Sequence, residues 1–250
     1  MYNLLFVNYL IFNLLNALRS LNSVNMHDDL EYLHKYRIYT RRVLSLLELF
    51  MPEEKHVIHE LKRVLKCTNE LRDLDVFSAT INAKKFPKLK EEIRRYRIQQ
   101  YHQIWTKALL DDISSTILKI TDALHNLPEI ESYVVMIKKT EKYFKKTMKA
   151  YRHLSYKRDG DATYHAVRIR FKISRYAFEF FKNCDIIDPQ TQIQTCKKAQ
   201  ESFGNLQDIS SQLKWLQHYA QLHPSYECTK MIEKLKKKLA KERRHLHNNS

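Results

Sequence analysis

An all-α protein is predicted by three features of the sequence. Glycine and proline are scarce, 2 and 5 in 250 residues, so the residues from which hairpins and tight turns are built are largely missing. Long stretches rich in Leu, Ile, Lys and Glu fill the intervals between the few breaks, and these residue types favour helix. Hydrophobic residues make up 44% of the chain, which supports a buried core and excludes a disordered basic tail.

The breaks cut the chain into eight helices. Met1–Leu18 carries no charge and is dominated by Leu, Phe and Ile. It lacks an early cation, and Asn3, Asn8, Asn13 and Asn16 interrupt it, so 3–21 reads as the first core helix, not as a signal peptide or membrane anchor. The Asn22-Ser23-Val24-Asn25 step ends it, and 27–50 follows. Pro52 with Glu53 and Glu54 opens 53–81, since proline fits a first helical turn and acids suit the positive end of the dipole. Pro87 opens 87–125, and Pro128 with Glu129 opens 129–156. Asp159-Gly160-Asp161 separates that helix from 162–183, Asp188 stands as a cap before Pro189 and 190–221, and Pro224 opens 225–246. Short connections between helices of this length predict two antiparallel four-helix bundles, 1–126 and 127–250.

The chain repeats itself once. His34-Lys35-Tyr36-Arg37-Ile38-Tyr39-Thr40-Arg41-Arg42 and His165-Ala166-Val167-Arg168-Ile169-Arg170-Phe171-Lys172 share the pattern H-x-x-R-I-x-x-[RK]. At roughly 100° per residue, positions +3 and +7 return to the side of the histidine, and Arg175 and Tyr176 join the second row. Each row lies on the second helix of its half. The helix after it also repeats: Lys62, Asn69, Leu71, Arg72 and Asp73 in the first half match Lys197, Gly204, Leu206, Gln207 and Asp208 in the second. Cations aligned in this way repel one another unless a polyanion lies along them. The formal net charge of +16 agrees, and it suits nucleic acid, an anionic membrane surface or a polymeric phosphate alike.

These motifs resemble the CHAD family, the conserved histidine α-helical domain. Its halves carry H-x-x-R-x-x-x-[RK]-[RK] and H-x-x-R-I-x-x-K-x-x-R-Y, followed by L-G-x-L-R-D-L-D and a weaker L-G-x-x-x-D. The likeness covers nearly the whole chain. It implies two bundles related by a pseudo-two-fold axis around a basic central cavity, and non-catalytic binding of inorganic polyphosphate. On that reading the residues expected to contact the polymer are His34, Arg37, Arg41, Arg42, Lys62, Lys66, His165, Arg168, Lys172, Arg175 and Lys197. Arg72, Asp73, Tyr176 and Asp208 take orienting roles, since a carboxylate is a poor phosphate ligand but can aim a neighbouring cation. The chain departs from the pattern at Asn69, in place of the common glycine, and at Ser45 and Ile173, where the family often has cations. Replacing Arg37 and Arg168 by alanine is expected to weaken binding and to spare the fold.

Other features have plainer readings. Lys138, Lys142, Lys145, Lys149 and Arg152 lie opposite Tyr133, Ile137, Phe144, Met148 and Tyr151, an amphipathic pattern with a solvated basic side. The cations from Lys230 to Arg244 read in the same way, and both stretches can steer a polyanion. Tyr32, Tyr36 and Tyr39 flank the first row at helical spacing and are assigned to the core, not to base stacking. His56 and His59 lack further metal ligands nearby, and no phosphate-loop, G-x-S-x-G or H-E-x-x-H motif occurs. No metal, cofactor or catalysis is expected. Cys67, Cys184, Cys196 and Cys228 are scattered and read as small hydrophobes in a reducing compartment. The expected location is cytoplasmic, in association with polyphosphate granules, without membrane insertion. Two alternatives stay open at this point: a helical nucleic-acid-binding protein, with nucleic acid as a secondary partner of a polyphosphate binder, and an enzyme acting on phosphate chains. The sequence carries no signal for oligomeric state.

Overall fold

The computed structural model describes residues 2–24, 31–127, 131–154 and 160–248. Every regular element among them is a helix, as the composition demands. They are α1 (Tyr2–Asn22), α2 (Glu31–Phe50), α3 (Lys55–Lys66), α4 (Asn69–Thr80), α5 (Pro87–Ile104), α6 (Lys107–Leu124), α7 (Tyr133–Arg152), α8 (Asp161–Asn183), α9 (Gln190–Leu222) and α10 (Tyr226–Asn248). The expected breaks at Asn25, Pro128-Glu129 and Asp159 lie outside the described residues.

Among the described residues ten helices therefore replace the eight read from proline and glycine. The stretch 53–81 is split because α3 ends at Lys66 and Thr68 turns its hydroxyl back onto the Leu65 carbonyl at 3.1 Å. The stretch 87–125 is split at Thr106, whose extended backbone and side-chain oxygen, 3.2 Å from the Leu109 amide, cap the start of α6. Pro87 opens α5 as expected. Pro52 does not open α3, which starts at Lys55. Asp188 does not cap α9 either: Pro189 holds the cap position, and Asp188 pairs with Lys182 at 3.3 Å.

The chain packs as two compact units that do not follow simple halves. Unit 1 comprises Met1–Ala79, Ile93–Lys138 and Asn183–Ile186; unit 2 comprises Thr80–Glu92, Lys139–Lys182 and Ile187–Ser250.

In unit 1, α1 packs on α2 and α6, and α3 packs on α2 and α6. The contacts come from apolar residues at helical spacing: Phe6, Leu10, Leu14 and Leu21 on α1, with Leu33, Val43, Leu46 and Leu47 on α2, are all buried. Phe6 meets Phe50 edge to face at 5.8 Å, which joins the start of α1 to the end of α2. By length and composition α1 could cross a membrane, yet its inward face belongs to this core. Asn13, one of the interruptions in its apolar run, is buried and takes a hydrogen bond from Arg42 Nη1 at 2.9 Å.

A buried ionic cluster braces unit 1 further along the chain. Arg97 Nε donates to Asp75 Oδ1 at 2.7 Å, Tyr101 donates its hydroxyl hydrogen to Oδ2 at 2.8 Å, and the Arg97 guanidinium lies 4.6 Å from the Tyr101 ring centre.

Unit 2 is held by rings. Tyr151 of α7 meets Phe171 of α8 at 5.6 Å and Phe203 of α9 at 5.5 Å, both edge to face, and Tyr164 closes on Phe203 at 5.9 Å. Cys228, Met231, Leu235 and Leu239 turn one face of α10 inward, while Lys230, Lys234, Lys237, Lys238 and Lys241 remain exposed. On α7, Lys138, Lys142, Lys145, Lys149 and Arg152 are exposed as well.

Candidate anion-binding site

In unit 1 the first row rises from α2, whose turns place His34, Arg37 and Arg41 one above another. Charge is dense here. Burial, and with it the cations Arg72, Arg41 and Arg37, pulls the His34 imidazole below its ordinary 6.5, with Glu31 pulling the other way. The imidazole is therefore largely neutral near pH 7 unless an anion arrives. Arg42 anchors on Asn13 and lies 5.9 Å from the Tyr39 ring centre. Lys62 is exposed and pairs with Glu48 at 2.7 Å, while Lys66 is exposed.

Arg37 corrects the expectation placed on it. It is 3% exposed. Its guanidinium donates to the Leu65 carbonyl at 2.6 Å, to the Thr68 hydroxyl and to Asn69 Oδ1. Those bonds close the end of α3 onto the start of α4 and satisfy a helix-terminal carbonyl. Burial draws the guanidinium down to about 10, against a favourable field from Asp73, so it stays charged near neutrality. Arg37 is thus a joint of the fold, and its removal will not spare stability. Asp73 is exposed and Arg72 half-buried.

In unit 2 the second row comes from α8. Arg168 and Arg175 meet Lys197, Gln200, Glu201, Gly204, Asn205 and Asp208 of α9 around an open cleft of about 760 Å³. Five of the residues singled out in the sequence, Arg168, Arg175, Lys197, Gly204 and Asp208, are thereby gathered on one cavity. Arg175 lies 4.9 Å from the ring centre of Tyr176, which is buried and so forms a fixed platform beneath it. Glu179 stands 3.5 Å from Arg175 Nε and attracts it, yet Nε makes no hydrogen bond among the described residues. Gln200, a lining residue the sequence did not suggest, is pinned by its Nε2 donating to the Phe171 carbonyl at 3.1 Å. His165 is exposed and Lys172 half-buried, and neither lines this cleft.

The chemistry on offer is electrostatic. Three cationic side chains border the cavity, with Glu201 and Asp208 among the lining, so an anion there gains charge-assisted hydrogen bonds from planar guanidinium forks and a lysine point charge. No group of three or more His, Cys, Asp or Glu able to hold a metal occurs among the described residues. The cysteines are free, and burial pushes the Cys196 thiol up to about 12, away from reactivity.

Comparison with known proteins agrees with this architecture. Among curated proteins none matches the chain. Among solved structures, the crystal structure of the CHAD domain from the plant Ricinus communis is similar with a TM-score of 0.69 at 19% identity, covering 97% of this chain and 85% of that one. PptA from Streptomyces chartreusis is similar with a TM-score of 0.67 at 16% identity, covering 99% of this chain and 98% of its own. At such identities the likeness speaks for the fold alone. The CHAD domain family model, however, matches residues 11–217, and the chain therefore belongs to the CHAD domain family, helical domains associated with polyphosphate.

Proposed function

We propose that this protein binds inorganic polyphosphate without turning it over, using the cationic rows of α2 and α8 and above all the unit 2 cleft. The observation that carries the reading is the convergence of Arg168, Arg175 and Lys197 on one open cavity. Polyphosphate has no bases to read and about one negative charge per phosphate, so a cleft bordered by three cations suits it. The proposed setting is the cytoplasm, at polyphosphate granules.

A titration of long-chain polyphosphate against single-stranded RNA at matched salt tests this. Polyphosphate should bind more tightly, and its affinity should fall steeply and log-linearly with salt as counterions are released. Nucleic-acid complexes, with slopes of about −0.7 to −0.9 per phosphate neutralised, are the guide. Tighter RNA binding with a base preference would favour a nucleic-acid protein instead. Release of orthophosphate or shortening of the polymer with magnesium present would favour an enzyme.

The His34 environment gives a pH prediction. A bound phosphate near it favours the imidazolium, so binding takes up a proton and affinity should rise as pH falls through 6.5. Each unit by which the bound imidazole exceeds the unliganded one is worth about tenfold. His34→Gln should flatten that part of the profile, and an unchanged profile would remove His34 from the binding row. Stability without ligand runs the other way. The unfolded imidazole holds its proton more tightly than the folded one, so the folded state loses stability as pH falls below 6.5.

A further inference from the structure

The two rows share a register but not a fate. Arg37 and Arg168 occupy the same place in the repeated H-x-x-R, and Asn69 and Gly204 stand at matching positions ahead of Asp73 and Asp208. Arg37 is held by Leu65, Thr68 and Asn69. Arg168 is half-buried at the cleft. The Nε atoms of both arginines are buried without a partner, but no hydrogen bond from the Arg168 Nη atoms is found among the described residues.

Two differences on the facing helices account for this. In unit 1 the helix breaks between Lys66 and Asn69, which leaves carbonyls at the end of α3 for a donor to cap. In unit 2 α9 runs unbroken from Gln190 to Leu222 through the matching positions, so its carbonyls there are taken up within the helix. Asn69 also supplies an amide oxygen, whereas Gly204 supplies none. A Cβ built on Gly204 would lie 3.8 Å from Arg168 Nη2, in ordinary contact with nothing nearer. An asparagine there would carry its oxygen into hydrogen-bonding range of the guanidinium.

We propose that residue 69 or 204 decides whether the repeated arginine is a structural latch or an anion ligand, so that guanidinium binding of phosphate is concentrated in unit 2. The inference rests on the polyphosphate reading of the cleft and adds its specificity-determining position: a small residue at 204 keeps Arg168 available, and an amide there withdraws it. The two arginines, alike in their sequence context, have diverged into a structural latch and a binding group.

The test uses the full chain and two readouts. Phenylglyoxal labels accessible arginines, and mass spectrometry maps the sites. Arg168 should label in the wild-type protein and Arg37 should not. Gly204→Asn should protect Arg168, and Asn69→Gly should raise labelling at Arg37. In titrations with long-chain polyphosphate, Gly204→Asn should lose about tenfold or more in affinity, as Arg168→Ala does, and the double variant should lose little beyond either alone. Gly204→Ala adds a methyl group without an acceptor, so its affinity should stay close to wild type, with a higher melting temperature from better helix propensity. Melting curves establish that each variant is folded. Failure of the wild type to bind polyphosphate would overturn the function proposed above. Binding by the wild type that Arg168→Ala weakens but Gly204→Asn leaves unchanged, with Arg168 still labelled, would overturn the latch alone.

Discussion

Replacing Arg168 and Arg175 together by alanine should lower the affinity for long-chain polyphosphate by about 100-fold or more near physiological salt. Each guanidinium–phosphate contact is a charge-assisted hydrogen bond worth roughly 1.5–3 kcal/mol, and roughly 1.4 kcal/mol is a factor of ten in affinity. Two such losses exceed what the neighbouring Lys197 can recover, even with a flexible polymer that can shift along the cleft. The fold should tolerate the change. Arg168 has no hydrogen-bond acceptor among the described residues, and Arg175 is only half-buried, resting on Tyr176. The informative control is Lys236→Ala with Lys237→Ala, an equal charge change on the exposed face of α10. It should shift affinity by no more than about threefold, through the long-range field. Equal losses for the two pairs would mean that net charge, and not the cleft, holds the polymer. Fluorescence or calorimetric titration at fixed ionic strength distinguishes these outcomes.

The second large effect concerns stability. Asp75→Ala should destabilise the protein by about 3–5 kcal/mol, because it leaves the Arg97 guanidinium buried without its carboxylate and deprives Tyr101 of its acceptor. For a chain of this size that corresponds to a fall in melting temperature on the order of 10 °C. Arg97→Ala should behave similarly, and the double variant should cost clearly less than the sum, since the partners share one interaction. Urea unfolding of the four proteins gives the coupling directly. A loss below about 1 kcal/mol for Asp75→Ala would show that water or repacking replaces the cluster.

The all-helical class was legible because proline and glycine are so rare that little besides helix could be built. The number of helices was not. Punctuation by proline and glycine misses breaks made by threonine, and both Thr68 and Thr106 act through their hydroxyls on neighbouring backbone. Thr106 left a trace in the sequence, since a Thr ahead of a helix is a preferred cap. Thr68 owes its break to Arg37 as well, a partner 31 residues away.

Helical periodicity aligns the cations along each helix, but a stripe carries no mark of which side is wet. Arg37 sits between the buried Tyr36 and Thr40, and Arg168 sits in the same register between Val167 and Phe171. The two arginines were therefore indistinguishable within their own helices. What separates them is residue 69 or 204 on another helix, a tertiary fact. The pairing of Asp75 with Arg97 was hidden for the same reason, because the spacing of 22 residues spans different helices and follows no period.

The most direct measurement is a crystal structure of the protein with polyphosphate. Ordered phosphates within hydrogen-bonding distance of Arg168, Arg175 and Lys197, with the Arg37 guanidinium still bound to Leu65 and Asn69, are the expected result. Phosphates ordered only along the exposed lysines of α7 or α10, with the unit 2 cleft unchanged, would contradict the account.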